Sequence, residues 1–572
     1  MAPTARRPSK RRAVGLLGIR QANSSDDEDY APAGYRSPAG ASRPASAAAY
    51  PPSPVADEDV PLAQRRRQLH AQQQQQQQQQ PKPAAAAGSG SGGTPPARTP
   101  GLPDEVLCLI LRKACDPANG GAIPTAAAAT CVCRAWRAAA LSSPNLWQHV
   151  DLTWPRCRPT DAALARITPR WSGLCSLKLA PGAAGTGGMS GASLQLVAAR
   201  CPVLTSLSLA HCSQFGEAAL CAALTEMLLR PAAADRSSAP LTHLDLSFSE
   251  IAPKVSGLDT VVRTVLAQQA RNGSGPVLQE LLVEGCPVLS HRGLRAVTEA
   301  SVEQGTPLLA ALQVLDLSQS ASAKPGFVIN LERLQYSAPG LRQLRLNSLC
   351  GAYGWSTNPT PSRLPRDAPP PGFCHLRVCQ VAAKPRQSMS GLGTIGSYVT
   401  DACLIRLLAH ASQLEELDVS CCDRLSPDSL ATSIHPEAPL KHALLARSGW
   451  CCDEAVEFLV DRFGASLEAV DLGWGASRIT DAAAAALARC PRLHSVGLEG
   501  TAVSSEGVRQ LLQAADMHAA EAACSAGGSS SNSSGSGRPV FTVDVGSCRG
   551  LERGVRQAAM LGMDQLREAL IS

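Results

Sequence analysis

Aromatic residues are scarce: seven Phe, six Tyr and seven Trp in 572 residues, about 3%. The core therefore cannot rest on a few large anchors, and Leu, Ala and Gly must supply its bulk. Long hydrophobic runs are missing too. A membrane-crossing helix needs roughly 18 or more consecutive apolar residues, and no such run exists, so no membrane partner is expected. The Arg-rich start lacks the apolar segment of a secretory signal. Reduced thiols are thus the expectation for the 21 cysteines, and a disulfide framework is not. Zinc spacing is also wanting, because Cys131-Val-Cys133 has no matching pair, so no metal is expected. HExxH, the P-loop and the G-x-S-x-G elbow do not occur. The glycine-rich GLGTIG at 391–396 is not set between a strand and a phosphate-binding helix and reads as an insertion. His211, His243, His410 and His442 read as surface or turn residues. No catalytic residue and no cofactor are expected.

Excess charge of one sign is confined to one end. The first hundred residues hold 13 Lys+Arg and 7 Asp+Glu, a net of +6, and the remaining 472 hold 40 of each. The balanced part is not a polyanion-binding body, so nucleic acid is not an expected partner. Single cores rarely exceed about 300 residues, so 572 residues imply several domains or an extended repeat array.

Residues 1–98 are rich in Pro, Ala, Ser, Gly and Gln, with nine consecutive glutamines at 72–80. Such a segment buries too little apolar surface to offset its ordering entropy, and disorder is expected. Arg6, Arg7, Lys10, Arg11 and Arg12 form a basic cluster. It reads as a nuclear address, a solvated tail or an organelle transit segment, and the expected location is cytoplasm, nucleus or both. Ser24-Ser25-Asp-Asp-Glu-Asp fits an acid-directed phosphoacceptor and equally a solubilising patch.

The composition changes at Gly101, where a short helical module of residues 101–150 begins. In LPDEVLCLILRK, Pro103 suits a first helical turn, and Asp104 and Glu105 suit the positive end of the helix dipole. Val106, Leu107, Ile110 and Leu111 repeat at helical spacing. A second helix is expected over 126–140, with Val132 and Trp136 one turn apart, and SSPNLW ends the module.

From residue 151 to 572 the pattern L-x-x-L-x-L recurs. It starts at Leu174, Leu204, Leu241, Leu278, Leu312, Leu341, Leu376, Leu414, Leu440, Leu467 and Leu493, with a last member at Val540. Alternation along a short strand points the leucines to one side, and stacking about twelve such units in parallel buries them. Thr160-Asp161, Thr400-Asp401, Ser426-Pro427-Asp428, Thr480-Asp481 and Ser505-Glu506 mark helix starts by a capping hydroxyl. Cys212, Cys286, Cys422 and Cys548 fall at the turn after a strand, and Cys201 and Cys490 precede Pro before one.

The order Leu-Pro start, amphipathic helix, VCRAWR and terminal NLW resembles the F-box, with DPANGGAIPTAAAAT in place of the family's short acidic-leucine turn. The repeats resemble the cysteine-containing leucine-rich repeat, in which the cysteine is a small buried turn residue. Together they resemble the F-box/leucine-rich-repeat substrate receptors of Skp–cullin–F-box ubiquitin ligases. The resemblance implies an α/β fold: a leucine-rich-repeat horseshoe of parallel strands and helices, preceded by a small all-α F-box and a disordered tail. It implies a non-catalytic subunit that docks on a Skp-type adaptor, and through it on cullin and a RING subunit. The repeats would then hold an unknown protein bound for ubiquitination and proteasomal degradation. The adaptor contacts implied are Leu102, Pro103, Val106, Leu107, Ile110, Leu111, Val132, Trp136, Leu146 and Trp147. The alternatives are a repeat scaffold whose degenerate F-box has no ligase role, and a small-molecule receptor like the hormone-sensing members of that family.

Outward strand positions carry Asp245, Glu280, Glu284, Asp316, Glu416, Asp418, Asp471, Glu499 and Asp544 against Lys178 and Arg345. They read either as an acidic groove for a basic segment or as water-facing filler of the repeat. Tyr353 and Trp355, in a Pro-rich insertion at 350–373, read either as binding anchors for a substrate or as part of a loop that packs on its own repeat.

Overall fold

A three-residue strand with its middle side chain turned inward is the smallest unit that the L-x-x-L-x-L pattern can build, and a computed structural model of the chain shows thirteen of them among the residues it describes. The structure describes residues 104–114, 132–142, 144–153, 159–179, 189–212, 214–231, 238–249, 277–286, 294–319, 330–348, 372–383, 399–475, 478–526 and 540–571. The basic cluster, Leu102, Pro103, Tyr353, Trp355 and GLGTIG lie outside them.

The strands are β1 (His149–Asp151), β2 (Ser176–Lys178), β3 (Ser206–Ser208), β4 (His243–Asp245), β5 (Glu280–Leu282), β6 (Val314–Asp316) and β7 (Gln343–Arg345). They continue with β8 (Val378–Gln380), β9 (Glu416–Asp418), β10 (His442–Leu444), β11 (Ala469–Asp471), β12 (Ser495–Gly497) and β13 (Thr542–Asp544). Each pairs in parallel with the next in chain order, giving one open sheet. The central column runs through Val150, Leu177, Leu207, Leu244 and onward to Val496 and Val543. These side chains are buried, and the residues flanking them face the other side of the sheet. This is the parallel solenoid that the repeat implied.

All twelve expected strands are present, and β1 is an addition. Its sequence QHVDL lacks the leading leucine, and its place is fixed by the backbone, where the Gln148 carbonyl accepts from the N–H groups of Cys175 and Ser176 at 2.8 and 2.9 Å. In the last repeat Val540 is exposed and Phe541 is buried in its stead, so the leading position there moves by one residue while Val543 and Val545 stay in register.

Among the described residues the module's helices are α1 (Asp104–Ala114) and α2 (Arg134–Ser142). The repeat helices are α3 (Asp161–Ile167), α4 (Gly191–Arg200), α5 (Glu217–Leu228), α6 (Leu294–Gln304), α7 (Leu331–Ser337) and α8 (Asp401–Leu408). After them come α9 (Ser429–Ser433), α10 (Asp453–Phe463), α11 (Asp481–Leu487), α12 (Ser505–Ala526), α13 (Arg553–Leu561) and α14 (Met563–Ile571).

Two sets of hydrogen bonds tie several neighbouring repeats together. On the turn side, Sγ of Cys286 and Cys548 donates to the Leu246 and Leu498 carbonyls, each at 2.9 Å. Cys422 donates to Val381 at 3.4 Å, and Ser448 Oγ makes the same bond to Val419 at 3.2 Å. The position wants a small buried donor, which is why cysteine and serine interchange there. On the helix side, the first-turn aspartate of one repeat accepts from a residue just before the next repeat's helix. Asp453 takes the N–H and hydroxyl of Thr480 at 2.8 and 2.6 Å, and Asp481 takes those of Ser504 at 2.7 and 2.6 Å. Asp161 and Asp401 do the same for Ser190 and Ser426, and also hold the hydroxyls of Ser193 and Ser429. Thr160 and Thr480 cap their own helices as expected, whereas Thr400 and Ser426 do not, since no side chain caps α8 or α9. Ser504, one residue before the expected Ser505, caps α12 by accepting from the Glu506 N–H.

Candidate functional site

Two surfaces stand out, one on the helical module and one on the sheet. In the module, α1 packs on α2 and on the short 3-10 turn Pro144–Trp147. Leu107 and Leu111 turn inward against Ala139, Ala140 and Leu146, and Trp136 packs beside them. Helical spacing thereby divides the residues that the resemblance grouped as adaptor contacts. Leu107, at 2% exposure, Leu111 and Leu146 are the module's own core. Val106, Ile110 and Val132 are exposed, the last at 63%. Leu109, at 59%, joins that exposed set and was missed, because its neighbours in the apolar run masked which residues face outward. Trp147 packs against both the module core and the solenoid core, and its Nε1 donates to the Ala140 carbonyl at 3.0 Å. One side chain thus couples the module to the first repeat.

On the sheet, the solvent face carries the acids expected there, yet most of them are engaged. The strand-end aspartates cap their own turns. Asp245, Asp316, Asp418 and Asp471 accept the N–H of the residue two positions on, Ser247, Ser318, Ser420 and Gly473, at 2.9–3.0 Å. Asp245 also accepts from Ser208 Oγ at 2.7 Å. Asp316 lies 3.9 Å from Arg345 and is buried, against the expectation that it faces water. Glu280 lies 3.8 Å from His243, and Glu416 accepts from Gln380 at 2.5 Å with His442 3.7 Å away. Asp418 is half-buried; burial raises its carboxyl above the usual value, with Glu416 and Asp471 adding to the rise against the Ser420 hydrogen bonds.

The face changes over β10–β13, where a hollow of about 500 Å³ opens. Its floor is small: Ala469, Ser495 and Gly497, with Thr542 beside them. A Cβ at Gly497 would run into Oδ1 of Asp471, so a larger residue there would push the carboxylate aside. Asp471, Glu499, Asp544, Arg447 and Trp474 stand around it. Arg447 and Trp474 occupy the left-handed turn position, φ 57° and 60°, which projects their side chains to the solvent face. The Arg447 guanidinium lies 5.0 Å from the Trp474 ring centre, and Gly500 lies against the indole, at a φ of 71° that favours glycine. The turn position was legible only in the cysteine that follows it, so neither Arg447 nor Trp474 was picked out from sequence.

The F-box-like family matches residues 99–153, which include β1. No curated protein matches the chain. Among solved structures, the complex of Rad7 and Elc1 in yeast is 15% identical, covers 86% of this chain and 94% of that one, and has a TM-score of 0.39. An internalin from Listeria monocytogenes is 10% identical over 62% of this chain and 86% of its own, with a TM-score of 0.34. The leucine-rich-repeat-containing protein LegL7 from Legionella pneumophila is 15% identical over 64% and 97%, with a TM-score of 0.31. The chain carries an F-box-like module joined to a leucine-rich-repeat solenoid.

Proposed function

We propose that this protein is the substrate-recognition subunit of a Skp–cullin–F-box ubiquitin ligase. The observation that carries the reading is the exposed apolar face of α1, formed by Val106, Leu109 and Ile110, with Val132 of the same module exposed as well. A small helical module keeps such a face out of water by docking on a partner, and a Skp-type adaptor is the partner an F-box takes. Cullin and a RING subunit then join through the adaptor. The solenoid offers a long sheet face on which a protein substrate is held near the ligase. This chain contributes positioning and no bond-making chemistry, and its place of action is the cytoplasm, the nucleus or both.

The test is co-purification with a Skp-type adaptor. Leu109→Glu with Ile110→Glu changes only exposed residues, so the module should stay folded and lose the adaptor. Leu107→Ala is a different experiment. It removes a buried core side chain, at a cost of about 2–5 kcal/mol, and loss of binding would then report loss of fold. Undiminished adaptor capture by the double glutamate variant would overturn the reading.

A further inference from the structure

The acids of the sheet face are not equivalent. From β4 to β10 three of them lie within 4 Å of a basic side chain: Glu280 of His243, Asp316 of Arg345 and Glu416 of His442. In the last three repeats this ends. Glu499 accepts from Trp474 Nε1 at 3.1 Å and from Ser547 at 3.3 Å, and Asp544 accepts from the Gly546 N–H at 3.2 Å. Asp471 takes the Gly473 N–H. Among the described residues none of the three is in an ion pair. Arg447, the cation nearby, lies over the Trp474 ring. Three carboxylates and one guanidinium leave the hollow net negative.

Its shape adds a second constraint. The floor is kept low by Ala469, Ser495 and Gly497, which stand in register with the larger His442, Glu416 and Asp471 of the neighbouring strands. Four strands at roughly 4.8 Å spacing span about 14 Å, which an extended segment crosses in about four residues. A volume of about 500 Å³ lies within the range that takes a long side chain and its neighbours. Trp474 is 43% exposed, yet it is held by Arg447, Gly500 and Glu499. A large aromatic fixed in advance loses little freedom on binding.

We propose that the hollow over β10–β13 receives the cationic side chain of an extended, lysine- or arginine-bearing segment of the recruited protein, with Glu499 and Asp544 as its counter-charges and Trp474 as its apolar wall. The proposal rests on the receptor reading and narrows it, from the whole acidic face to one end of it. The aliphatic stem of the cation packs on the exposed part of the indole while its head meets the carboxylates. Asp471 is a positioning residue here, since it caps the β11 turn and covers Gly497.

The test uses the full chain and a fluorescein-labelled peptide of about ten residues alternating Lys and Ser, crossed by a span of about four. Fluorescence anisotropy should show binding that weakens with salt, and a Glu-Ser peptide of the same length should not bind. Glu499→Gln with Asp544→Asn keeps the oxygens that accept from Trp474 and Gly546, so the fold should hold. Affinity should fall at least about tenfold, or about 1.4 kcal/mol. Ser495→Arg, which sets a cation on the floor, should abolish binding. Asp245→Asn with Glu280→Gln, remote on the same face, should change nothing. Full affinity in the Glu499/Asp544 variant, an equal loss in the Asp245/Glu280 variant, or no binding of the Lys-Ser peptide would each overturn the proposal. Adaptor capture measured on the same wild-type samples separates the two ideas. Retained capture without peptide binding removes the hollow alone, and peptide binding without capture removes the receptor reading alone.

Discussion

At the scale of single residues, the thiols show how burial decides chemistry. Cys201, Cys379 and Cys451 are buried in apolar surroundings, and desolvation pushes each thiol up to about 12. Cys212 and Cys490 are pushed up to about 11 by the same cause. The thiolate is the reactive form, and near pH 8 a thiol of that kind is ionised to roughly one part in a thousand or less. These cysteines are therefore packing groups and weak donors. Among the described cysteines, Cys133 and Cys374 are exposed and free. Iodoacetamide should label those two rapidly under native conditions and reach the five buried ones only after denaturation, which mass spectrometry of tryptic peptides would read directly. Native labelling of Cys379 or Cys451 at the rate of Cys374 would contradict the assignment. The structural role of the turn cysteines was legible in the sequence, because their offset from the leucines is constant. The donor role was not, since it appears only when Cys286 is seen beside the Leu246 carbonyl of the preceding repeat.

At the scale of the element, the repeat helices are short, several of them only seven residues, as in α3 and α11. Such helices are marginal alone, and the aspartate ladder supplies what propensity does not. The Thr-Asp pairs were legible as helix starts, and that reading captured half of their chemistry. Thr160 and Thr480 cap their own helices, but the aspartate beside each belongs functionally to the next repeat. Sequence periodicity cannot reveal a bond between repeats whose loops differ in length. Burial alone would raise the Asp401 carboxyl, but the hydrogen bonds from Ser429 and Ser426 outweigh it and leave the group below its ordinary value of 3.8. Asp401→Ala removes the acceptor for both and should cost about 1–2 kcal/mol, allowing for partial solvent access. The sign follows from the lowered value. The ionised form is favoured in the folded state, so the stabilisation is fully present above about pH 4. It is lost as pH falls through the depressed folded-state value. Denaturant titrations should show wild type and variant separated at neutral pH and converging in acid. A constant gap at every pH would mean that Asp401 acts by packing alone.

At the scale of the whole described body, the solenoid is one-dimensional: each strand touches its two neighbours, and the two ends are exceptional. One end is closed by the F-box-like module, whose Trp147 reaches both cores. The other is closed by α13 and α14, which no motif announced. Leu566 and Leu570 of α14 are buried on the last repeat, Arg567 pairs with Asp516 at 2.7 Å, and Arg509 donates to the Leu570 carbonyl at 2.8 Å. These residues lack the repeat's spacing, which is why they read as unremarkable helix from the sequence, and they act as a lid because they end the repetition. Stacked repeats gain stability from each neighbouring interface, and an uncovered final strand offers both bare backbone and bare core. Removing residues 553–571 should therefore lower the melting temperature and loosen the structure from that end. Hydrogen exchange should rise first in β12 and β13, then in β11, while β2–β4 keep the protection of the full chain. The same deletion should leave adaptor capture intact, since the F-box-like face lies at the other end, and should abolish binding of the Lys-Ser peptide, whose hollow is built on the strands that open. Uniform loss of protection along all thirteen strands would show instead that the solenoid unfolds as a single unit, with the lid contributing to the whole and not to its own end.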